Sequence, residues 1–258
     1  MNLLARVAQL RAQLPDASDL GFALVSQPNP ASSRPRGNYD LVLAAFVGLL
    51  LISNIGATKL IAFGPRVEVA GLPLLPIITD GGAILFPLTY ILGDVLAEVY
   101  GLRRANRAIL TGFVLAGVMS LTFLLVDAAP PATDWPNQDA WHAVLGFVPR
   151  IVVASLLGFL AGQFLNAWVL VWIKNRWGSG RLWVRLISST IVGEFADTLV
   201  FCLIAFGPLG NVLGGESIPW PVLLNYIAVG WLYKVGVEVV LLPVTYRVIA
   251  WVKRRESA

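Results

Sequence analysis

LLNYIAVGWLYKVGVEVVLLPV, residues 223–244, places Lys234 and Glu238 four residues apart in an otherwise apolar stretch long enough to cross a bilayer as a helix. Two more stretches share this conflict. PLTYILGDVLAEVYG, residues 87–101, carries Asp94 and Glu98, and STIVGEFADTLVFCLIAF, residues 189–206, carries Glu194 and Asp197. An ion facing hydrocarbon costs several kcal/mol, so such residues turn toward a protein interior, find partners and mark a pathway or a binding site. These three segments therefore read as membrane helices arranged around a polar solute.

The rest of the chain agrees. It has 258 residues, of which 57% are apolar and only 13% charged, where a soluble domain averages about 25% charged. Backbone groups in lipid must be satisfied internally, which leaves helices or a closed barrel. The apolar runs are too long and continuous for alternating barrel strands of about 10 residues. The single cysteine, Cys202, lies inside a span and excludes a disulfide framework or a cysteine metal site within one chain. The single histidine, His142, falls in a polar loop beside Trp141 and reads as solvated. No catalytic residue, metal site or cofactor is expected. The net charge of +4 is no nucleic-acid signal, because the basic residues cluster beside apolar spans.

The pattern predicts an all-α polytopic membrane protein. Six transmembrane helices are expected at about 40–63, 83–100, 107–127, 147–173, 184–207 and 222–249. The second is short if Pro87 begins it. Before it, GPRVEVAGLPLLPIITDGG, residues 64–82, mixes β-branched residues, prolines and a Gly-Gly pair, and reads as a hairpin or re-entrant loop. Arg103, Arg104 and Arg107 follow span two, Lys174, Arg176, Arg181 and Arg185 follow span four, and Lys253, Arg254 and Arg255 end the chain. The opposite loops hold only Arg66 and Arg150 as basic residues. Positive loops face the cytoplasm, so both termini are expected there, in the cytoplasmic (inner) membrane of the cell. Residues 1–38 read as a cytoplasmic extension, disordered or interfacial, 39–252 as the transmembrane domain, and 253–258 as a basic tail.

Within the spans, Asp94 shares a helix face with Tyr90 and Phe86, and Asp197 lies three residues after Glu194. Asp94, Glu194 and Lys234 all fall near the midplane of a bilayer core about 30 Å thick. Spans one and four add Asn54, Thr58, Lys59, Gln163 and Asn166, with Gly56 offering a local break between Asn54 and Lys59. The candidate substrate-binding residues are Asn54, Phe86, Tyr90, Asp94, Gln163, Glu194, Asp197 and Lys234. Lys59, Glu98 and Glu238 are candidates for ion coupling or structural pairing. The plain alternative is that these charges only fix helix packing, Lys234 with Glu238 and Lys59 with a carboxylate. Five carboxylates against two lysines leave an acidic surplus, which suggests a cationic or N–H-rich ligand, or protonated carboxyls. Gly93, Gly158, Gly162, Gly193 and Gly236 read as close-packing residues. Gly93–Glu98 (GDVLAE) is echoed by Gly193–Asp197 (GEFAD), each in the middle helix of a three-span half, as a 3+3 inverted repeat would place them.

At SNIGATK (53–59), GGAILFPLTYILGDVLAEVYG (81–101), Gly162-Gln163, GEFADTLVFCLIAFG (193–207) and YKVGVEVVLLPV (233–244), the chain resembles the queuosine precursor transporter, or vitamin uptake transporter, family. The resemblance covers roughly residues 40–250. It implies six helices, cytoplasmic termini and import of 7-deazaguanine precursors of a modified tRNA base, such as preQ0 and preQ1. The chemistry is compatible with that. A guanine-like ring offers a ring N–H and an amino group side by side, which one carboxylate accepts together as it does from arginine. Its flat faces suit Phe86, Tyr90, Phe201 or Trp231. The expected partners are thus a small-molecule base, the lipid bilayer and, compatibly, further copies of the chain, but not nucleic acid. One competing reading is a substrate-capture subunit of an ECF-type vitamin importer; no P-loop occurs here, so ATP hydrolysis would fall to another protein. An intramembrane enzyme is the other, and the chain has neither a Gly-x-Ser-x-Gly elbow nor an HExxH motif.

Overall fold

The computed structural model describes residues 38–69, 72–177, 182–213 and 217–257. The N-terminal extension lies outside the described residues. Seven helices and one β-hairpin follow in the order α1 (Tyr39–Gly56), β1 (Leu60–Val69), β2 (Leu72–Asp80), α2 (Phe86–Tyr100), α3 (Leu102–Ala128), α4 (Gln138–Leu145), α5 (Val148–Trp177), α6 (Leu182–Ala205) and α7 (Trp220–Ser257). Among the described residues, five helical stretches are long and apolar enough to cross a membrane. The expected second span is not among them. At 15 residues, α2 is about 22 Å long at 1.5 Å per residue, short of a bilayer core. A 3₁₀ turn at Gly81–Ile84 and the hairpin occupy the chain before it.

The hairpin is the exception to the all-α expectation, and it falls on the stretch whose prolines and β-branched residues argued against a helix. Its strands pair antiparallel from Leu60 opposite Asp80 through Phe63 opposite Ile77, with register shifts on either side of Val67. Gly64 carries a φ of 100°, a conformation that an L side chain resists. Because α1 stops at Gly56, Lys59 sits in the turn leading into β1 and not within a span. Asp80 closes the hairpin. Its Oδ1 accepts from the backbone N–H groups of Gly82 at 2.7 Å and Ala83 at 3.2 Å, capping the 3₁₀ turn. That turn lies against the end of α1 so closely that a Cβ on Gly81 would meet the Gly56 carbonyl oxygen at 2.6 Å.

Two larger apolar clusters and a smaller one, of Ala116, Val148 and Val152 between α3 and α5, hold the described helices together. One of the larger clusters joins Ile78, Ile151, Ala205, Phe206, Leu223 and Tyr226, where the hairpin meets the start of α5, the end of α6 and the start of α7. The other joins Phe46, Val95, Leu96, Tyr100, Ala105, Ala108, Ile249 and Val252 of α1, α2, α3 and α7. Tyr39 and Tyr100 stack edge to face at 5.3 Å, and the Tyr100 hydroxyl donates to Glu256 at 2.9 Å. The start of α1, the end of α2 and the end of α7 therefore share one end of the bundle. Leu110, Val114, Val118, Leu121 and Leu125 leave an exposed apolar stripe along α3, which suits lipid contact.

Helices α5 and α6 approach almost backbone to backbone. A Cβ on Gly162 would lie 2.9 Å from the Asp197 Cβ and 3.0 Å from the Gly193 carbonyl oxygen, and one on Gly193 would lie 2.8 Å from the Asn166 Cβ. These glycines pack as small residues do between membrane helices. Gly93 and Gly236 do not, since a Cβ on either meets nothing within 4 Å. The echoed Gly93 and Gly193 thus sit in different surroundings. Arg150, read from the sequence as a loop residue, is buried in the first turn of α5. It donates to the carbonyls of Ile204 and Gly207 at 2.8 Å each, satisfying acceptors at the end of α6.

Candidate functional site

Helices α1, α2, α5, α6 and α7 turn polar and aromatic residues inward, while α3 adds only Ile109 and Phe113. α1 contributes Ser53 and Asn54, α2 Phe86, Tyr90 and Asp94, α5 Ser155, Phe159 and Gln163, α6 Glu194, Asp197 and Thr198, and α7 Tyr226, Tyr233 and Lys234. These residues enclose two adjoining cavities. The lobe beside the hairpin has a volume of about 310 Å³ and is lined by Asp80, Asp197, Tyr226 and Lys234 among others. The lobe toward the other end has about 320 Å³ and is lined by Asp94, Gln163, Asn166, Glu194 and Asp197. Phe46, Leu50, Phe86, Tyr90, Phe113, Phe159 and Asp197 belong to both walls, so the lobes meet there. Either volume falls in the range of small-molecule sites.

Lys234 is the cation of the cavity wall. It donates to Asp197, lies 3.9 Å from Glu194 Oε2, and its Nζ stands 5.6 Å from the centre of the Phe86 ring. Glu238, its expected partner one turn along α7, makes no ion pair with it and lies beside Tyr90 of α2. Opposite Lys234 the two walls carry four carboxylates: Asp80, Asp94, Glu194 and Asp197. Asp80 also receives the Tyr226 hydroxyl, tying the hairpin to α7. Asn54 is buried and engaged; it donates to the Leu50 carbonyl at 3.0 Å and accepts from Ser155 at 3.0 Å. Glu194 Oε2 and Asn166 Oδ1 are buried and have no hydrogen-bond partner among the described residues.

All eight candidate binding residues line one lobe or the other, and Asp94 and Asp197 line the same one. The three secondary candidates do not. Lys59 is exposed and makes no ion pair among the described residues. Glu98 is exposed near the end of α2 and lies 3.9 Å from Lys253, a solvated pair of small energetic consequence. Glu238 lies beside Tyr90. Trp231 faces elsewhere too: its Nε1 donates to the Ile191 carbonyl at 3.1 Å, and its ring meets Phe195 edge to face. His142, read as solvated, contacts Asp127 through Nδ1 at 2.6 Å while remaining 74% exposed.

Asp80, Tyr226, Tyr233, Thr198 and Phe159 line the cavity without having been singled out in the sequence. Tyr226 and Gly230 precede Lys234 by eight and four residues, so stepping back along the same helical face finds them. Thr198 adjoins Asp197 in the same way. Asp80 carried a weaker signal, an aspartate before Gly-Gly in a stretch read as a turn.

Helices that cross a membrane and enclose a charged, aromatic-lined cavity define a multi-pass membrane protein built around a small polar solute. Residues 80–248 match the family described as "Putative vitamin uptake transporter", and the chain belongs to that family. It is 33% identical to the "Probable queuosine precursor transporter" of Bacillus subtilis over 168 residues, 64% of this chain and 69% of that one. It is 26% identical to the "Queuosine precursor transporter" of Escherichia coli over 171 residues, 66% of this chain and 72% of the relative. The "Probable queuosine precursor transporter" of Haemophilus influenzae is likewise 26% identical over 172 residues, 65% and 67% of the two chains. No solved structure matches the chain. The match begins at Asp80, so α1 and most of the hairpin lie before it.

Proposed function

We propose that this protein imports queuosine precursors, 7-deazaguanines such as preQ0 and preQ1, across the cytoplasmic membrane, with both termini in the cytoplasm. The observation that carries the reading is the pair of buried acceptors without a hydrogen-bond donor among the described residues, Glu194 Oε2, which has only the Lys234 ammonium at 3.9 Å, and Asn166 Oδ1, in a lobe that also holds Asp94 and Asp197. A buried acceptor without a donor costs about 1–3 kcal/mol. A guanine-like edge with adjacent N–H groups supplies the missing donors, and Phe86 and Tyr90 offer faces for its ring. The names of the three relatives point to the same solute class.

Asp197 and Lys234 serve as the joint between the lobes. Asp197 Oδ2 is held by Lys234, so a ligand that takes both oxygens of Asp197 displaces the lysine toward Glu194. Exchange of one partner for another at a shared carboxylate offers a way to couple solute arrival to movement of α7 against α6.

The test is rescue. Cells unable to make the modified base are given this chain, fed each 7-deazaguanine, and assayed for modified tRNA. Restoration supports import. Uptake by the purified chain alone in liposomes separates a self-sufficient transporter from a capture subunit that needs a partner ATPase.

A further inference from the structure

Serine and threonine inside a helix commonly turn the hydroxyl back onto a carbonyl of the preceding turn. Thr89 does so onto Phe86 at 2.9 Å, Thr111 onto Arg107 at 2.8 Å, Ser120 onto Ala116 at 2.9 Å and Thr122 onto Val118 at 2.9 Å. Thr198 does not. It is 2% exposed, and its Oγ1 has no hydrogen-bond partner among the described residues. Its methyl faces α7, where a Cβ on Gly230 would lie 3.3 Å away. The methyl packs while the hydroxyl stays unsatisfied.

The location of this unsatisfied group gives it a use. Thr198 lines the hairpin-side lobe directly after Asp197, on a wall shared with Tyr226, Gly230 and Lys234. A valine would fill the same volume without the penalty of a buried, unpaired hydroxyl. A ligand that supplies a partner removes that penalty, and sites built to hydrogen-bond a polar group reject analogues that lack it.

We propose that Thr198 is a specificity-determining residue whose hydroxyl hydrogen-bonds the polar edge of the bound heterocycle when that ligand engages Asp197. This rests on the reading under Proposed function. The ligand class is a flat nitrogen heterocycle with a donor or acceptor beside the group held by the carboxylate. Thr198 supplies neither charge nor stacking; it supplies the directional contact that separates such a base from a ring of the same shape without the polar atom.

The experiment uses the purified full-length chain, 7-cyano-7-deazaguanine as the probe, and the variants Thr198→Val and Thr198→Ser. Thr198→Val is expected to weaken binding at least fivefold while the Tm of the ligand-free protein stays equal or rises. Thr198→Ser, which keeps the hydroxyl, should bind within threefold of wild type. Wild-type binding together with Thr198→Val binding within twofold of it overturns this inference alone. A lowered Tm in Thr198→Val, with Thr198→Ser equally impaired in binding, assigns the residue to packing and overturns it as well. A wild type that binds neither this probe nor its aminomethyl analogue overturns the proposed function, and this inference with it.

Discussion

Lys234 of α7 bonds directly to Asp197 of α6 and stands 3.9 Å from Glu194 one turn away, so a single ammonium faces two carboxylates across a helix boundary. All three side chains are largely shielded, with between 21% and 25% of their surface exposed. Removal of the lysine leaves two carboxylates close together in a poorly solvated wall.

Lys234→Ala is therefore expected to lower both folded yield and uptake. Breaking a fully buried pair typically costs about 3–5 kcal/mol. The partial exposure here favours the lower end. Thermal unfolding in detergent and uptake in cells read the two effects. Normal stability together with normal uptake would show that the pair carries neither.

Asp94→Asn and Asp197→Asn separate recognition from packing. Each keeps size and shape but turns an acceptor oxygen into an NH2 donor facing the ligand's N–H groups. A hydrogen bond to a charged group contributes about 1.5–3 kcal/mol, so affinity should fall roughly tenfold to more than a hundredfold. Asp197→Asn should also loosen Lys234, which Asp94→Asn leaves in place. Binding of a 7-deazaguanine to both variants within threefold of wild type would place recognition elsewhere.

The glycines predict opposite outcomes. Gly162→Ala drives a methyl to 2.9 Å from the Asp197 Cβ and should cost about 1–3 kcal/mol through overpacking of α5 on α6. Gly93 lines the lobe with nothing within 4 Å of a built Cβ. Gly93→Leu should keep its folded yield, since leucine favours helix over glycine, while filling the cavity and abolishing uptake. A Gly93→Leu protein that transports normally would exclude this lobe from the path.

Topology follows from the arginine-rich segments. A reporter active only in the cytoplasm should work when fused after Arg104, Arg176 or Arg255, and an external reporter after Asn137. Labelling of a site near Arg176 from outside intact cells would reverse the orientation.

Much of the molecule was legible because its signals are local. Asp94, Glu194, Asp197, Lys234 and Glu238 in apolar stretches point to a membrane protein with a polar interior, since hydrocarbon tolerates ions poorly, whereas Glu98 proved to be exposed near the end of α2. The prolines and β-branched residues of 64–82 marked a hairpin or re-entrant loop, whereas the apolar pattern carried span one to residue 63, past the actual end of α1 at Gly56 and into β1. Spacings of three and four residues placed Phe86, Tyr90 and Asp94 on one wall, and Glu194 and Asp197 on another.

The tertiary structure alone decided which charge meets which. By spacing, Glu238 was the natural partner of Lys234, one turn away on the same helix. The lysine instead reaches across to Asp197, because Gly158, Gly162 and Gly193 let α5 and α6 close up and hold that carboxylate in place. Asp80 and Tyr226 meet across 146 residues of sequence for the same kind of reason. Periodicity states which residues share a face of one helix. It carries no information about which helix stands opposite, at what depth or how near, because backbone approach and side-chain volume set those distances.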